Sequence, residues 1–308
     1  MKTPLCSLIS LGLLGFGNVV FAGSFVPGEI LLNNLNGSNL QRYSAAGVLE
    51  RTYYTGGGIQ YVGAALTPDG KLVSSYSQFG SRIEIRNSDG GQISSFAASG
   101  SPSDASVFAN GTIAFGQQGG YSVTLVSQTG TFLKDVNLYD AVGGAVGGAI
   151  GSTVGTDNIL YVTGSKTNNL GKISQDGTFL GSIKLGFTAG DLVMSPTDGT
   201  LWVSDLLNNV VEHITTDGTV LGNFPTGLTG NFEGIGIAPD GDSLYVTTTS
   251  SSVIRHFDLI GNQLGDINIV RPGTPMFLTV VPGAVPEPST FASLAFGAAA
   301  LSLRRRPR

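Results

Sequence analysis

Few residues of this chain could carry out chemistry, and their spacing limits what that chemistry would be. Two histidines are present, His213 and His256, each twelve residues beyond the start of a short apolar strand. Asp104, Asp191 and Glu233 stand near the starts of the strands that precede such segments. Around a common axis they could converge on one calcium ion. The single Cys6 lies in an apolar N-terminal stretch, so a processed chain would carry no thiolate for a metal, a disulfide or a nucleophile. There is no G-x-S-x-G elbow, and the glycine run near Gly147 lacks the Lys-Ser/Thr of a phosphate loop.

The elements that must position these residues are repeated. Ile30, Val73, Ile113, Leu160, Leu201 and Leu244 each sit in a short apolar strand such as ILYV, LWV or LYV. Seventeen residues beyond each lies a glycine: Gly47, Gly90, Gly130, Gly177, Gly218 and Gly261. The intervals between anchors are 43, 40, 47, 41 and 43 residues, the length of one four-stranded propeller blade. The longest interval holds the glycine-rich segment from Gly143 to Gly151. Asp-Gly turns recur at Asp89, Asp176 and Asp217, and a second set, TPDG, SPTDG and APDG, precedes the anchor strands. Three residues past the turn glycine comes an apolar residue in five repeats: Ile93, Leu133, Leu180, Leu221 and Leu264.

A single blade is too thin to bury both faces, so six repeats predict an all-β, six-bladed β-propeller of four-stranded blades. The ends predict how the ring closes. The chain after residue 22 opens on an anchor strand, GEILLNN, without the strand that precedes it in every later repeat. The last strand, PMFLTVVPG from Pro275, is of that missing type and is expected to complete the first blade.

In this frame the histidines share one column with Arg42, Ile85, Leu125 and Lys172. Equivalent points on adjacent blades lie roughly 10 Å apart, whereas zinc holds nitrogen at about 2 Å, so a shared histidine site is not expected. A polar place on an outer strand near the turn carboxylates is expected instead. No catalytic residue is assigned, because a serine triad would need a histidine near the axis. For Asp104, Asp191 and Glu233 the expectation is strand capping or solvent contact at the channel mouth, without a resident metal. Val62, Ile150 and Phe277, read as the opposing places around the axis, ligate nothing.

The repeat LWVSDLLNNVVEHITTDG from Leu201 resembles the NHL family of propellers, with Asp205 and Asn209 at the family's Asp and Asn positions. Elsewhere the Asp place holds Tyr76, Gly164 or Thr248, so the resemblance implies fold more than function. FEGIG around Glu233 resembles the blade start of gluconolactonase-type propellers, which implies a metal-dependent lactonase-like hydrolase as an alternative. A streptogramin-lyase-like propeller is a further alternative that lacks a channel histidine.

Both ends read as addresses. Lys2, an apolar run from Leu8 to Phe21 and small residues at Val20 and Ala22 predict a signal peptide over 1–22, cut after Ala22 by a signal peptidase. At the other end, Pro286, Glu287 and Pro288 precede an apolar stretch from Phe291 to Leu303 and then Arg304, Arg305 and Arg306. As a helix that stretch would rise about 20 Å, short of the roughly 30 Å hydrocarbon core, which suits a transient anchor. The order of these parts over 285–308 resembles the PEP-CTERM sorting signal. The resemblance implies a Gram-negative bacterium, an exosortase as processing partner, and a destination at the cell surface or in extracellular polysaccharide. Between the addresses, 23–284 is the propeller.

Removing Lys2 and four arginines on one side and Glu287 on the other leaves 11 basic against 20 acidic residues from Gly23 to Val285. Nucleic acid, which needs clustered Lys and Arg, is thereby disfavoured as a partner. Only 12% of the chain is charged, and Ser, Thr and Asn are plentiful. The function expected is an exported, non-catalytic, monomeric surface or matrix protein that offers a propeller face to polysaccharide or to another surface protein.

Overall fold

A computed structural model describes residues 24–35, 37–54, 60–77, 81–98, 100–140, 144–270 and 273–283. Glu233 is described by its backbone. Ala22, the Pro286–Pro288 triplet and Arg304 to Arg306 lie outside the described residues.

The chain is an all-β six-bladed propeller of four-stranded antiparallel blades. Blade 1 joins the two ends of the chain. Its innermost strand, Pro275–Val280, pairs with Ile30–Asn34, which is followed outward by Asn39–Tyr43 and Leu49–Tyr54. Ile30 faces Val280 and Leu32 faces Leu278 in that ladder, so the last strand closes the ring as the repeat predicts. From the axis outward, blade 2 is Gln60–Leu66, Leu72–Ser77, Arg82–Arg86 and Gln92–Ala97. Blade 3 is Pro102–Val107, Ile113–Gln117, Ser122–Val126 and Phe132–Asn137. Blade 4 is Ala149–Val154, Ile159–Gly164, Asn169–Ser174 and Phe179–Lys184, and blade 5 is Ala189–Met194, Leu201–Asp205, Val210–Ile214 and Val220–Pro225. Blade 6 is Phe232–Ile237, Ser243–Thr248, Val253–Asp258 and Gln263–Asn268. The long repeat adds a ribbon of Tyr139–Asp140 and Gly144–Ala145 between blades 3 and 4.

The recurrent glycine has two causes. Gly47, Gly90, Gly130, Gly177, Gly218 and Gly261 all have φ between 76° and 91°, and each N–H closes the outer turn of its blade, as Gly177 does on Ser174 O at 2.9 Å. L residues avoid that φ. Each also abuts the preceding blade: a Cβ on Gly261 would lie 2.6 Å from Phe224, and one on Gly130 2.5 Å from Phe96.

Burial follows the ring. Among the described residues six apolar clusters form, one at each junction between neighbouring blades. The second strands are buried on both sides, as Ile30–Asn34, Leu72–Ser77 and Leu201–Asp205 show. That is why their anchors are the most apolar part of each repeat. A seventh cluster, of Val62, Ile150, Met276 and Phe277 with Leu35 and Leu206, joins blades 1 and 2 to blades 4 and 5 across the axis.

The hairpins between second and third strands and the connections between blades emerge on one face, here the loop face. The turns between first and second strands and between third and fourth strands lie on the other, the turn face. Both chain ends leave from the turn face, where Gly28 N donates to Val281 O at 2.9 Å and Val281 N donates to Glu29 O at 2.7 Å.

Candidate functional site

The axis is built from six innermost strands, each of which carries a register shift near its start in the ladder to the second strand. Counting back four residues from the first turn of each blade gives Gly63, Asp104, Gly151, Asp191, Gly234 and, in blade 1, Phe277. Glycine alternates with a larger residue because adjacent backbones touch there. A Cβ on Gly63 would fall 2.5 Å from Asp104 Cα, and one on Gly151 2.5 Å from Gly190 O and 2.7 Å from Asp191 Cα.

Asp104 and Asp191 therefore share a level, in blades 3 and 5, while Glu233 stands one residue earlier, beside Gly234. Val62 and Ile150 also belong to the level before, and of the three apolar opposing places only Phe277 is at the aspartate level. Both aspartates bond to the next blade. Asp104 Oδ2 accepts from Ser152 N at 3.1 Å and from Ser152 Oγ at 3.2 Å. Asp191 Oδ2 accepts from Ile235 N at 3.1 Å, and its Oδ1 accepts from Leu192 N at 2.8 Å. Burial pushes the Asp104 carboxyl up to about 7 against the opposing effect of the Ala105 and Ser152 bonds. Both line an axial cavity of about 250 Å³, together with Ser106, Ser152, Thr153 and Thr279. Among the described residues no three His, Cys, Asp or Glu side chains gather as a metal would require.

The histidines lie on third strands, away from the axis. His213 stacks on Trp202 with ring centroids 3.9 Å apart and Nε2 2.8 Å from Thr200 Oγ1. His256 repeats the arrangement on Tyr245, at 4.3 Å, with Nε2 2.8 Å from Ser243 Oγ. In blade 4 the same two places hold Tyr161 and Lys172, whose Nζ lies 5.9 Å from the ring centroid. Burial lowers both imidazoles, against the pull of Asp198 on His213 and of Asp240 on His256. The pattern is one of cross-strand packing that orients a polar tip. Asp205 and Asn209 shape a hairpin: Asp205 Oδ1 accepts from Leu207 N at 3.1 Å, and Asn209 has φ 53°.

Aspartates recur in the turns of one face. Asp69, Asp157, Asp198 and Asp240 in first turns and Asp89, Asp176, Asp217 and Asp258 in outer turns all lie on the turn face. Neighbouring hydroxyls and amides of Ser174 and Thr178, and of Thr215 and Thr219, hold Asp176 and Asp217 below the usual carboxylate range.

On the loop face the added ribbon makes a local site that the aspartate and histidine columns do not announce. Leu138 N donates to Tyr121 O at 2.8 Å, Val146 N to Leu138 O at 2.9 Å and Gly148 N to Gly120 O at 2.9 Å, which ties the insertion to blade 3. Ser182 N donates to Asp140 Oδ2 at 3.1 Å and ties it to blade 4. Beside it lies a recess of about 290 Å³ lined by Gly100, Ser101, Gln117, Gly119, Gly120 and Ser122. Tyr121, whose ring lies against Gly147 of the insertion, and Tyr139 are 51% and 67% exposed. The one sequence signal for it was the 47-residue interval with its glycine run.

Residues 284–306 match the PEP-CTERM protein-sorting motif. The motif implies export, processing by an exosortase and sorting to the cell surface. No curated protein matches the chain. Among solved structures, a protein of unknown function from Bacteroides caccae is 14% identical with a TM-score of 0.66, covering 84% of this chain and all of that one. A chain of a nidogen/laminin complex is 14% identical with a TM-score of 0.67, over 82% of this chain and 97% of that one. Virginiamycin B lyase from Staphylococcus aureus, as a catalytically inactive histidine-to-alanine variant with quinupristin, is 16% identical with a TM-score of 0.61, over 82% and 91%. At these identities the likeness is one of fold.

Proposed function

We propose that the chain is an exported, non-catalytic propeller, led out by a signal peptide cut after Ala22, held briefly by its C-terminal apolar stretch, and displayed to bind polysaccharide at the surface or in the matrix. The observation that carries this reading is the use of the axial carboxylates. Asp104 and Asp191 bond to backbone of the next blade, and the cluster around Phe277 fills the axis beside them. A hydrolytic metal needs about three converging ligands and an open position for water, and this arrangement is built for holding blades together. A lyase of the virginiamycin type has a histidine whose loss inactivates it. The two histidines here are stacked and half-buried on third strands.

Retention of the purified propeller on exopolysaccharide, alongside quinupristin and lactone turnover assays, tests the reading. Retention without turnover is expected. Turnover of either substrate class overturns it, and retention on a surface protein instead of polysaccharide replaces the partner. Mass spectrometry of the mature chain from an exosortase-bearing strain tests the route. Loss of Arg304 to Arg308 is expected, and an intact tail contradicts it.

A further inference from the structure

We infer that the corner of blade 1 where both chain ends leave the turn face, together with the outer turn of blade 6 beside it, is the surface that the exosortase contacts while it processes the tail. This rests on the processing reading above and names which part of the propeller the enzyme meets.

The corner departs from the pattern of the ring wherever a turn comes to the surface. The six outer turns run from Ser44 to Val48, Asn87 to Gly91, Ser127 to Thr131, Ser174 to Thr178, Thr215 to Thr219 and Asp258 to Asn262. Their third place holds Asp89, Asp176 and Asp217 in blades 2, 4 and 5 and Thr129 in blade 3, but Ala46 in blade 1 and Ile260 in blade 6. Their closing place holds Gly91, Thr131, Thr178, Thr219 and Asn262 in blades 2 to 6 and Val48 in blade 1. Packing does not consume these exceptions: Val48 is 63% and Ile260 81% exposed. Where the other blades have a first turn, blade 1 has the two chain ends, and these expose Val26, at 54%, and Pro27. Among the described residues, Val26, Val48 and Ile260 are the large exposed hydrophobic residues in the turns and end segments of this face.

Both ends are fixed against this corner. Arg42, ion-paired with Glu29 at 2.7 Å, donates from Nη2 to Ser24 O at 2.9 Å and lies 4.7 Å from the centroid of the Phe25 ring, which lays residues 24–28 across blade 1. A Cβ on Gly28 would meet Ala45 Cβ at 3.2 Å and Pro239 Cγ of blade 6 at 4.0 Å. One on Gly283 would meet the same proline, at 3.5 Å from its Cβ.

Chain length then limits where the enzyme can stand. Pro286 is three residues beyond Gly283 and Pro288 five, at most about 11 and 18 Å of extended chain. An enzyme that cuts near the triplet works within that distance of the exit, so Val26, Ala46, Val48 and Ile260 face it. Uncharged apolar residues bordered by polar ones are the composition of a protein contact. A bilayer fits this corner less well. Interfacial binding draws on large apolar side chains and on attraction to anionic headgroups, whereas the turns beside the exit carry Asp240, Asp242 and Asp258.

Pulse-chase measurement of tail removal from the full chain in an exosortase-bearing strain tests this. Ala46→Asp gives blade 1 the residue that blades 2, 4 and 5 hold at the same place, and Val48→Thr gives it the residue of blades 3, 4 and 5. Both therefore keep the turn, and unchanged thermal melting of the purified chain checks it. Ala46→Asp is expected to slow tail removal about ten-fold, the penalty of drying a carboxylate at an apolar contact. Val48→Thr is expected to slow it about three-fold. Thr129→Asp, the same charge at the same place two blades away, is expected to leave the rate unchanged. A photo-cross-linking benzoylphenylalanine in place of Val48 is expected to capture the exosortase, and one in place of Leu207, 74% exposed on the loop face, to capture none. Wild-type rates for both corner variants, or equal slowing by Thr129→Asp, overturn the surface while leaving the route standing. Lipid adducts alone at position 48 give the corner to the bilayer and overturn the enzyme assignment. An intact tail on the wild-type chain in that strain overturns the route and this inference with it.

Discussion

Around the axis and around the rim the same sixfold repeat meets opposite environments. At the axis the repeated place alternates Gly63, Asp104, Gly151, Asp191, Gly234 and Phe277, and Asp104 and Asp191 are buried and bonded across a blade junction. At the rim the repeated place holds Ile93, Leu133, Leu180, Leu221 and Leu264, which are 47–55% exposed. Charged residues are inside and aliphatic ones outside, the reverse of what residue type suggests. The cause is radial. Blades diverge as wedges, so contacts between neighbours concentrate on the first and second strands, while the fourth strands splay apart. A repeated column therefore reports a shared place in the ring, and distance from the axis decides whether that place is buried.

The most severe way to break this contrast is to open the ring. Ending the chain at Gly273 removes Pro275–Val280 and exposes the inner edges of blades 1, 2 and 6, whereas ending it at Gly283 leaves the ring whole. Aggregation or loss of cooperative thermal unfolding is expected only for the shorter chain. Next in size is Gly63→Ala, which sets a Cβ against Asp104 Cα and Ala105 N with only backbone to yield. A destabilisation of about 3 kcal/mol in urea unfolding is expected, a large value for one methyl group.

A smaller effect sharpens the comparison through pH. The Asp104 carboxyl is held well above its ordinary value by burial, so the folded chain binds that proton more tightly than the unfolded one. Its contribution is fully present below about pH 4 and is lost as pH rises towards about 7. Asp104→Asn keeps an acceptor for Ser152 N and removes the titration. The difference in melting temperature between wild type and variant is expected to change by several degrees between pH 4 and 8, and a constant difference would show a freely ionising carboxylate. At the rim, Leu180→Ser is expected to change stability by less than about 0.5 kcal/mol, since half of the side chain already meets water. A loss as large as that at Gly63 would mean the rim column carries packing.

The sequence by itself determined the number of blades, the strand that closes the ring and the sorting motif at its C-terminal end. Those follow from local chemistry repeated at a fixed period. A turn that needs positive φ selects glycine at Gly47, Gly90, Gly130, Gly177, Gly218 and Gly261, and a strand buried on both sides selects an apolar anchor. The tertiary structure alone decided what the candidate site residues do. Asp104 finds Ser152 and Asp191 finds Ile235 on the next blade, more than forty residues along. It also decided that Glu233 stands one step away from the aspartate level, and that the glycine-rich insertion of the longest repeat brings Gly147 against the Tyr121 ring. Local patterns fix each blade. Contacts between blades depend on how six of them close around one axis, and that geometry exists only in the folded ring.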